Sequence, residues 1–74
     1  MSMCGDFPTV EAALFEGAGE VLRVTWEDDG GTRAMFAAMD DSTWTLTVVD
    51  PESGWTCTMR NGINLATFEK GDTL

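Results

Sequence analysis

Chemistry in this chain has to come from two cysteines, Cys4 and Cys57, thirteen carboxylates and four basic side chains, because histidine and tyrosine are absent. The single lysine, Lys70, lies near the C-terminus. Most general acid–base and Schiff-base catalysis is thereby removed. Neither cysteine has a sequence neighbour that would lower its pKa, so a nucleophilic thiol is not expected. Two cysteines without histidine cannot complete a four-ligand zinc site within one chain. Asp28-Asp29-Gly30 with Asp50 and Glu52 offers oxygen ligands to calcium, yet lacks the ligand spacing of a dedicated loop and reads as plain acidic turns. The pairs Gly17/Gly19 and Gly30/Gly31 do not lead from a strand into a helix at phosphate-loop spacing. The expectation is a non-enzymatic protein with no catalytic residue, no metal and no cofactor.

The elements that would position these groups are short. Thr43 to Cys57 encodes a β-hairpin: Trp44, Leu46 and Val48 alternate with threonines, Asp50-Pro51-Glu52-Ser53-Gly54 is a turn cluster, and Trp55, Cys57 and Met59 resume the alternation. Upstream, Val10, Ala13 and Leu14 share a face at helical spacing, with Asp6 or Thr9 as N-cap, Pro8 in the first turn and Gly17 and Gly19 as stops. The spacing predicts a helix from Pro8 to Glu16. Strands are expected at Glu20 to Glu27, Thr32 to Met39, Thr43 to Val49 and Trp55 to Arg60. Asn61-Gly62 then reads as a hairpin turn into a fifth strand, Ile63 to Phe68. The fold class is α+β: a short N-terminal helix packed on one face of a four- to five-stranded antiparallel meander. With 74 residues and no linker or repeat, residues 1–74 form a single small domain.

Strand alternation assigns the sheet two faces. One carries Leu22, Val24, Trp26, Ala34, Phe36, Ala38, Trp44, Leu46, Val48, Trp55, Cys57 and Met59, and is expected to be the core under the helix. The other carries Arg23, Thr25, Arg33, Met35, Thr43, Thr45, Thr47, Thr56, Thr58 and Arg60, which gathers the three arginines onto a threonine-rich surface. Asp28, Asp29, Asp50 and Glu52 fall in the first and third turns, which a meander places at one end as an acidic tip.

A net charge of -9 repels phosphate backbones and anionic membrane surfaces, so neither direct nucleic-acid binding nor membrane binding is expected. No apolar run approaches the length of a membrane span, and the N-terminus lacks the basic and apolar regions of a signal peptide. As written, the chain is not expected to be exported.

Cys4 should sit just ahead of the helix and Cys57 on the core face. The spacing allows a disulfide across the helix–sheet interface and equally allows two free thiols. The pattern Cys4, Leu14, Gly19-Glu20, Phe36, Thr43-Trp44-Thr45, Gly54, Thr56-Cys57 and Gly62 resembles a group of small uncharacterised alphaproteobacterial proteins that are usually exported. The resemblance runs from Cys4 to Gly62. It implies a periplasmic domain in which Cys4 and Cys57 are paired, and it brings no activity or binding residues. The lack of a signal peptide departs from the group, and a phage-encoded relative or a trimmed chain would each account for it.

By elimination the leading expectation is a structural or protein-interaction module. It would dock a protein partner or a second copy through a strand edge or through Arg23, Arg33, Met35, Thr45, Thr47, Thr58 and Arg60, with Met39 beside them. The alternative is an acidic inhibitor that mimics nucleic acid through carboxylates spaced like phosphates. A third reading is a carbohydrate or small-ligand binder using an outward-facing tryptophan.

Overall fold

The computed structural model describes residues 3–66. Its elements are strand β1 (Cys4–Asp6), helix α1 (Phe7–Ala18) and strands β2 (Glu20–Asp28), β3 (Gly31–Ala38), β4 (Thr43–Val49) and β5 (Trp55–Ile63). The strands form one antiparallel sheet in the order β1-β5-β4-β3-β2, giving an α+β fold. β2 to β5 follow one another as a meander. β1, too short to show a periodicity in sequence, adds to the far side of β5, so the strand order departs from a simple meander. Helix α1 joins β1 at one edge to β2 at the other and crosses one face of the sheet.

The helix outlasts its expected end at Glu16 and runs through Gly17. Pro8 lies in the first turn, where its missing N–H would have had no partner, and Asp6 takes the N-cap position in extended geometry without a side-chain cap bond. Gly19 ends the helix at φ 67°, donating its N–H to the Leu14 and Phe15 carbonyls.

Register decides which side chains share a face. Phe36 stands opposite Thr45, Ala34 opposite Thr47, Val49 opposite Thr56 and Thr56 opposite Gly5. These residues lie under α1: the Phe36 ring is 5.9 Å from that of Phe7, Val10 is buried, and a Cβ built on Gly5 would meet Val10 Cγ2 at 3.7 Å. Trp44 and Leu46 pair instead with Ala37 and Met35 on the other face. These four form a second buried cluster, against which Trp26 and Leu65 pack. Ala34 to Ala38 are buried without a break, which requires cover on both faces of β3.

The expected single core face is therefore split. Ala34, Phe36 and Ala38 lie under the helix as expected, while Trp44, Leu46 and Val48 belong to the opposite face. The expected Arg/Thr surface is overturned too, because Thr45, Thr47 and Thr56 are buried beneath α1. Two physical reasons account for this. The register of β3 against β4 sets Phe36 opposite Thr45 without a bulge, so Trp44, Leu46 and Val48 take the other face, while bulges in β2 between Leu22 and Val24 and in β5 opposite the Leu46/Thr47 step each shift the alternation by one residue. The threonine hydroxyls also find partners: Thr45 donates to Glu20 Oε1 at 2.7 Å, Thr47 to the Ala34 carbonyl at 2.9 Å, and Thr56 to the Gly54 carbonyl at 3.0 Å. A buried hydroxyl with a partner costs little, and its methyl group packs like that of valine.

The fifth strand expected from Ile63 to Phe68 does not form. Asn61 and Gly62 lie inside β5, opposite Thr45 and Trp44, and Ile63 closes that strand. Asn64 then turns the chain at φ 63°, its N–H donating to the Ser42 carbonyl at 2.7 Å. Residues 67 and 68 of the expected strand lie outside the described residues. Gly62 serves Trp44 rather than a turn, since a Cβ there would stand 2.8 Å from indole Cζ2 and 2.9 Å from Nε1. Gly62→Ala should destabilise by about 1–3 kcal/mol, because the indole must move within a packed cluster. A lower urea midpoint at unchanged slope would register it.

Cys4 and Cys57 are disulfide-bonded, with their Cα atoms 4.1 Å apart. They meet as directly opposed residues of β1 and β5, on the face away from α1, and not across the helix–sheet interface. Among the described residues no helix is long and apolar enough to cross a membrane.

Candidate functional site

The arginines expected on one face are dispersed. Arg23 occupies the β2 bulge and folds back over the β3–β4 turn, donating to Asp41 Oδ1 at 2.6 Å and to the Ala38 carbonyl at 3.2 Å. Arg33 lies at the other end, 3.6 Å from Asp28 Oδ1 and bonded to the Gly30 carbonyl. Arg60 is exposed and shares the face of Leu46. Met35 is 3% exposed and belongs to the cluster around Trp44, whereas Met39 stands in solvent. Thr58 is half-buried and its hydroxyl accepts the Met3 N–H at 2.8 Å. Arg23, Arg33, Met35, Thr45, Thr47, Thr58 and Arg60 thus form no common surface.

The acidic end is real as topology. The β2–β3 turn with Asp28 and Asp29 and the β4–β5 turn with Asp50 and Glu52 lie at the same end of the sheet, and Asp6 joins them through its pairing with Trp55. Two of the four tip carboxylates shape their own turns. Asp28 accepts the Gly30 N–H at 2.8 Å, and Asp50 accepts the Glu52 N–H and the Ser53 hydroxyl, each at 3.0 Å. The Glu52 amide and then the Ser53 hydroxyl hold the Asp50 carboxyl below its usual value. Asp29 and Glu52 are exposed and carry no side-chain hydrogen bond or ion pair among the described residues. No group of three or more acids or cysteines among the described residues is placed to hold a metal ion. Trp55, expected in the core, is 55% exposed at this end, because its position opposite Asp6 lies beyond the packed cluster.

β2 is an edge strand of nine residues, hydrogen-bonded to β3 on one side. The bulge at Arg23 interrupts it, leaving Val24 to Asp28 as a regular stretch that leads to the acidic end. Val24 is 51% exposed along it. At the opposite edge β1 has three residues, pairs with Trp55 to Cys57 and is stapled to β5.

At the other end of the helix-covered face lies a cleft of about 360 Å³ lined by Ala18, Glu20, Thr43, Trp44, Thr45, Asn61, Gly62 and Ile63. Glu20, the first residue of β2, is 3% exposed and follows directly on the Gly19 cap. Its sequence parity with Leu22 was the available signal that this acid would point at the helix, and that signal was missed. Comparison of the chain with protein-family models, with curated proteins and with solved structures finds no match.

Proposed function

We propose that the protein is a non-enzymatic interaction module that takes an extended, basic segment of a partner protein along the Val24–Asp28 edge of β2. The single observation that carries this is the coincidence of a regular, one-sided strand with an acidic end that contains two uncommitted carboxylates, Asp29 and Glu52. An added strand would satisfy the open backbone groups of β2, and basic side chains at its end would meet the carboxylates. The net charge of -9 favours a basic partner over a second copy, since two like-charged chains repel. Clustering of the acids at one end also favours this reading over a nucleic-acid decoy, which needs a row of charges.

The test is affinity capture from the native host followed by variants. Val24→Lys, which places a charge on the edge, and the pair Asp29→Asn with Glu52→Gln should each weaken capture by about tenfold or more, while Glu16→Gln on the helix leaves it intact. Amides of Val24 to Glu27 should exchange more slowly with solvent in the complex. A partner whose binding is unchanged by both sets of variants would rule the edge out. Loss with the acid pair alone and unaltered β2 exchange would instead favour the decoy.

A further inference from the structure

The Glu20 cleft is independent of the β2 edge and poses an electrostatic question. A carboxylate removed from water is disfavoured unless charge and hydrogen bonds compensate it. Glu20 has one hydrogen bond, from the Thr45 hydroxyl to Oε1 at 2.7 Å, and no cationic side chain pairs with it among the described residues. Arg23 and Arg33 are committed to Asp41 and Asp28. Thr45 is itself 5% exposed, so the carboxylate and its donor are both fixed in the floor of the cleft. Thr43 Oγ1, in the cleft wall, is buried without a hydrogen-bond partner among the described residues. Asn61 contributes a further polar side chain, and Ala18 brings the C-terminal, negative end of the α1 dipole to the rim.

We infer that this cleft binds a primary alkylammonium group. Glu20 brings a carboxylate and Asn61 a side-chain carbonyl to the cleft, acceptors for the N–H donors of an ammonium, whereas Thr43 Oγ1 is shut off from solvent. One carboxylate and one neutral oxygen are a poor set for a divalent ion. The methyl of Ala18 and the side chain of Ile63 offer an apolar wall for the alkyl stem. An ammonium there would return to Glu20 the counter-charge that the fold withholds. The group can come from a free amine or from a lysine side chain of another protein, and the chemistry recognised is the same.

The probe is n-butylammonium chloride, titrated at constant ionic strength against the full chain, with the backbone amides of Thr43, Thr45 and Asn61 and the Trp44 indole followed by NMR. Saturable shifts confined to these groups are expected. Glu20→Gln, which keeps the size and an acceptor for Thr45, should weaken binding by about tenfold or more, since a charge-assisted bond is lost. Glu16→Gln removes the same charge from the exposed side of the helix and should change nothing. n-Butyltrimethylammonium, which has the charge but no N–H, should fail to saturate. Should Glu20→Gln not fold, Ala18→Leu fills the cleft from the helix end and must abolish the shifts without touching the carboxylate. Tighter binding of an Nα-acetyl-lysine amide than of butylammonium identifies a protein lysine as the source, and the reverse identifies a free amine. Non-saturating shifts, or equal affinity in wild type, Glu20→Gln and Glu16→Gln, would overturn the inference and reduce the effect to counter-ion attraction by an acidic protein.

Discussion

Reduction of the Cys4–Cys57 bond, or its removal by Cys4→Ser with Cys57→Ser, should bring the protein close to unfolding at room temperature. The bond links residues 53 apart in sequence. Closing a loop of that length restricts the unfolded chain by about 4 kcal/mol in the chain-entropy account. A domain of this size has roughly 4 to 11 kcal/mol of stability in all, so the loss is a large fraction of it. The effect is concentrated because β1 has little else to hold it: three residues of strand pairing and the exposed Met3–Thr58 bonds. Detachment of β1 frees the start of α1, and with it Phe7 and Val10, which cover Phe36. Thermal melts with and without reductant, followed by near-ultraviolet dichroism of the tryptophans, will measure this. A melting point that moves by only a few degrees would show that the sheet and helix stand without the staple.

Trp44→Ala carries a comparable expected loss, about 3–5 kcal/mol, through a different route. The indole is 3% exposed and sits with Met35, Ala37 and Leu46 on the face opposite the helix. Its removal leaves a hole that Gly62, lacking a side chain, cannot help to fill, so little relaxation is available on that flank. For a domain of this length the shift in melting temperature is on the order of 15 to 30 °C. The helix should survive longer than the tertiary signal, because Phe36, Val10 and the buried threonines lie on the other side of the sheet. Equilibrium urea unfolding gives the magnitude, and a loss of less than about 1 kcal/mol would mean that the second cluster is not a core.

These two substitutions also mark what the sequence made legible. The turns at Asp28 to Gly31, Asp40 to Ser42 and Asp50 to Gly54 were readable, because aspartate and glycine carry their turn chemistry locally, and with them came β2, β3, β4, the start of β5 and the helix stop. Trp44 was readable as a buried residue. Which face it occupies was not, because alternation fixes the relative phase of residues within a strand and says nothing about phase between strands. That depends on the register of Phe36 against Thr45 and on bulges at Arg23 and Met59, which have no local signature. Threonines on the Phe36 face read as solvent-facing because their hydroxyls are polar, yet Thr45 and Thr47 find partners on other strands and Thr56 finds the Gly54 carbonyl two residues back. Asn61-Gly62 failed for the opposite reason: a strong local turn signal was overridden by a neighbour, Trp44, that needed the missing Cβ. Of the candidate site, the acidic turns were legible and the dispersal of the arginines was not. Glu20 was hidden because its burial is created by a helix cap and a threonine 25 residues away.

The position of β1 has a kinetic consequence. β2, β3, β4 and β5 are joined by short turns, so each pairing closes a small loop and can form from contacts near in sequence. β1 must wait, because its only strand neighbour is β5 and the intervening chain contains everything else in the sheet. Low-contact-order hairpins are therefore expected to assemble first, and β1, across the longest loop in the sheet, is expected to be incorporated last. Oxidation of Cys4 with Cys57 then records that assembly is complete, and the covalent bond acts as a latch on a finished sheet rather than as a guide to building it.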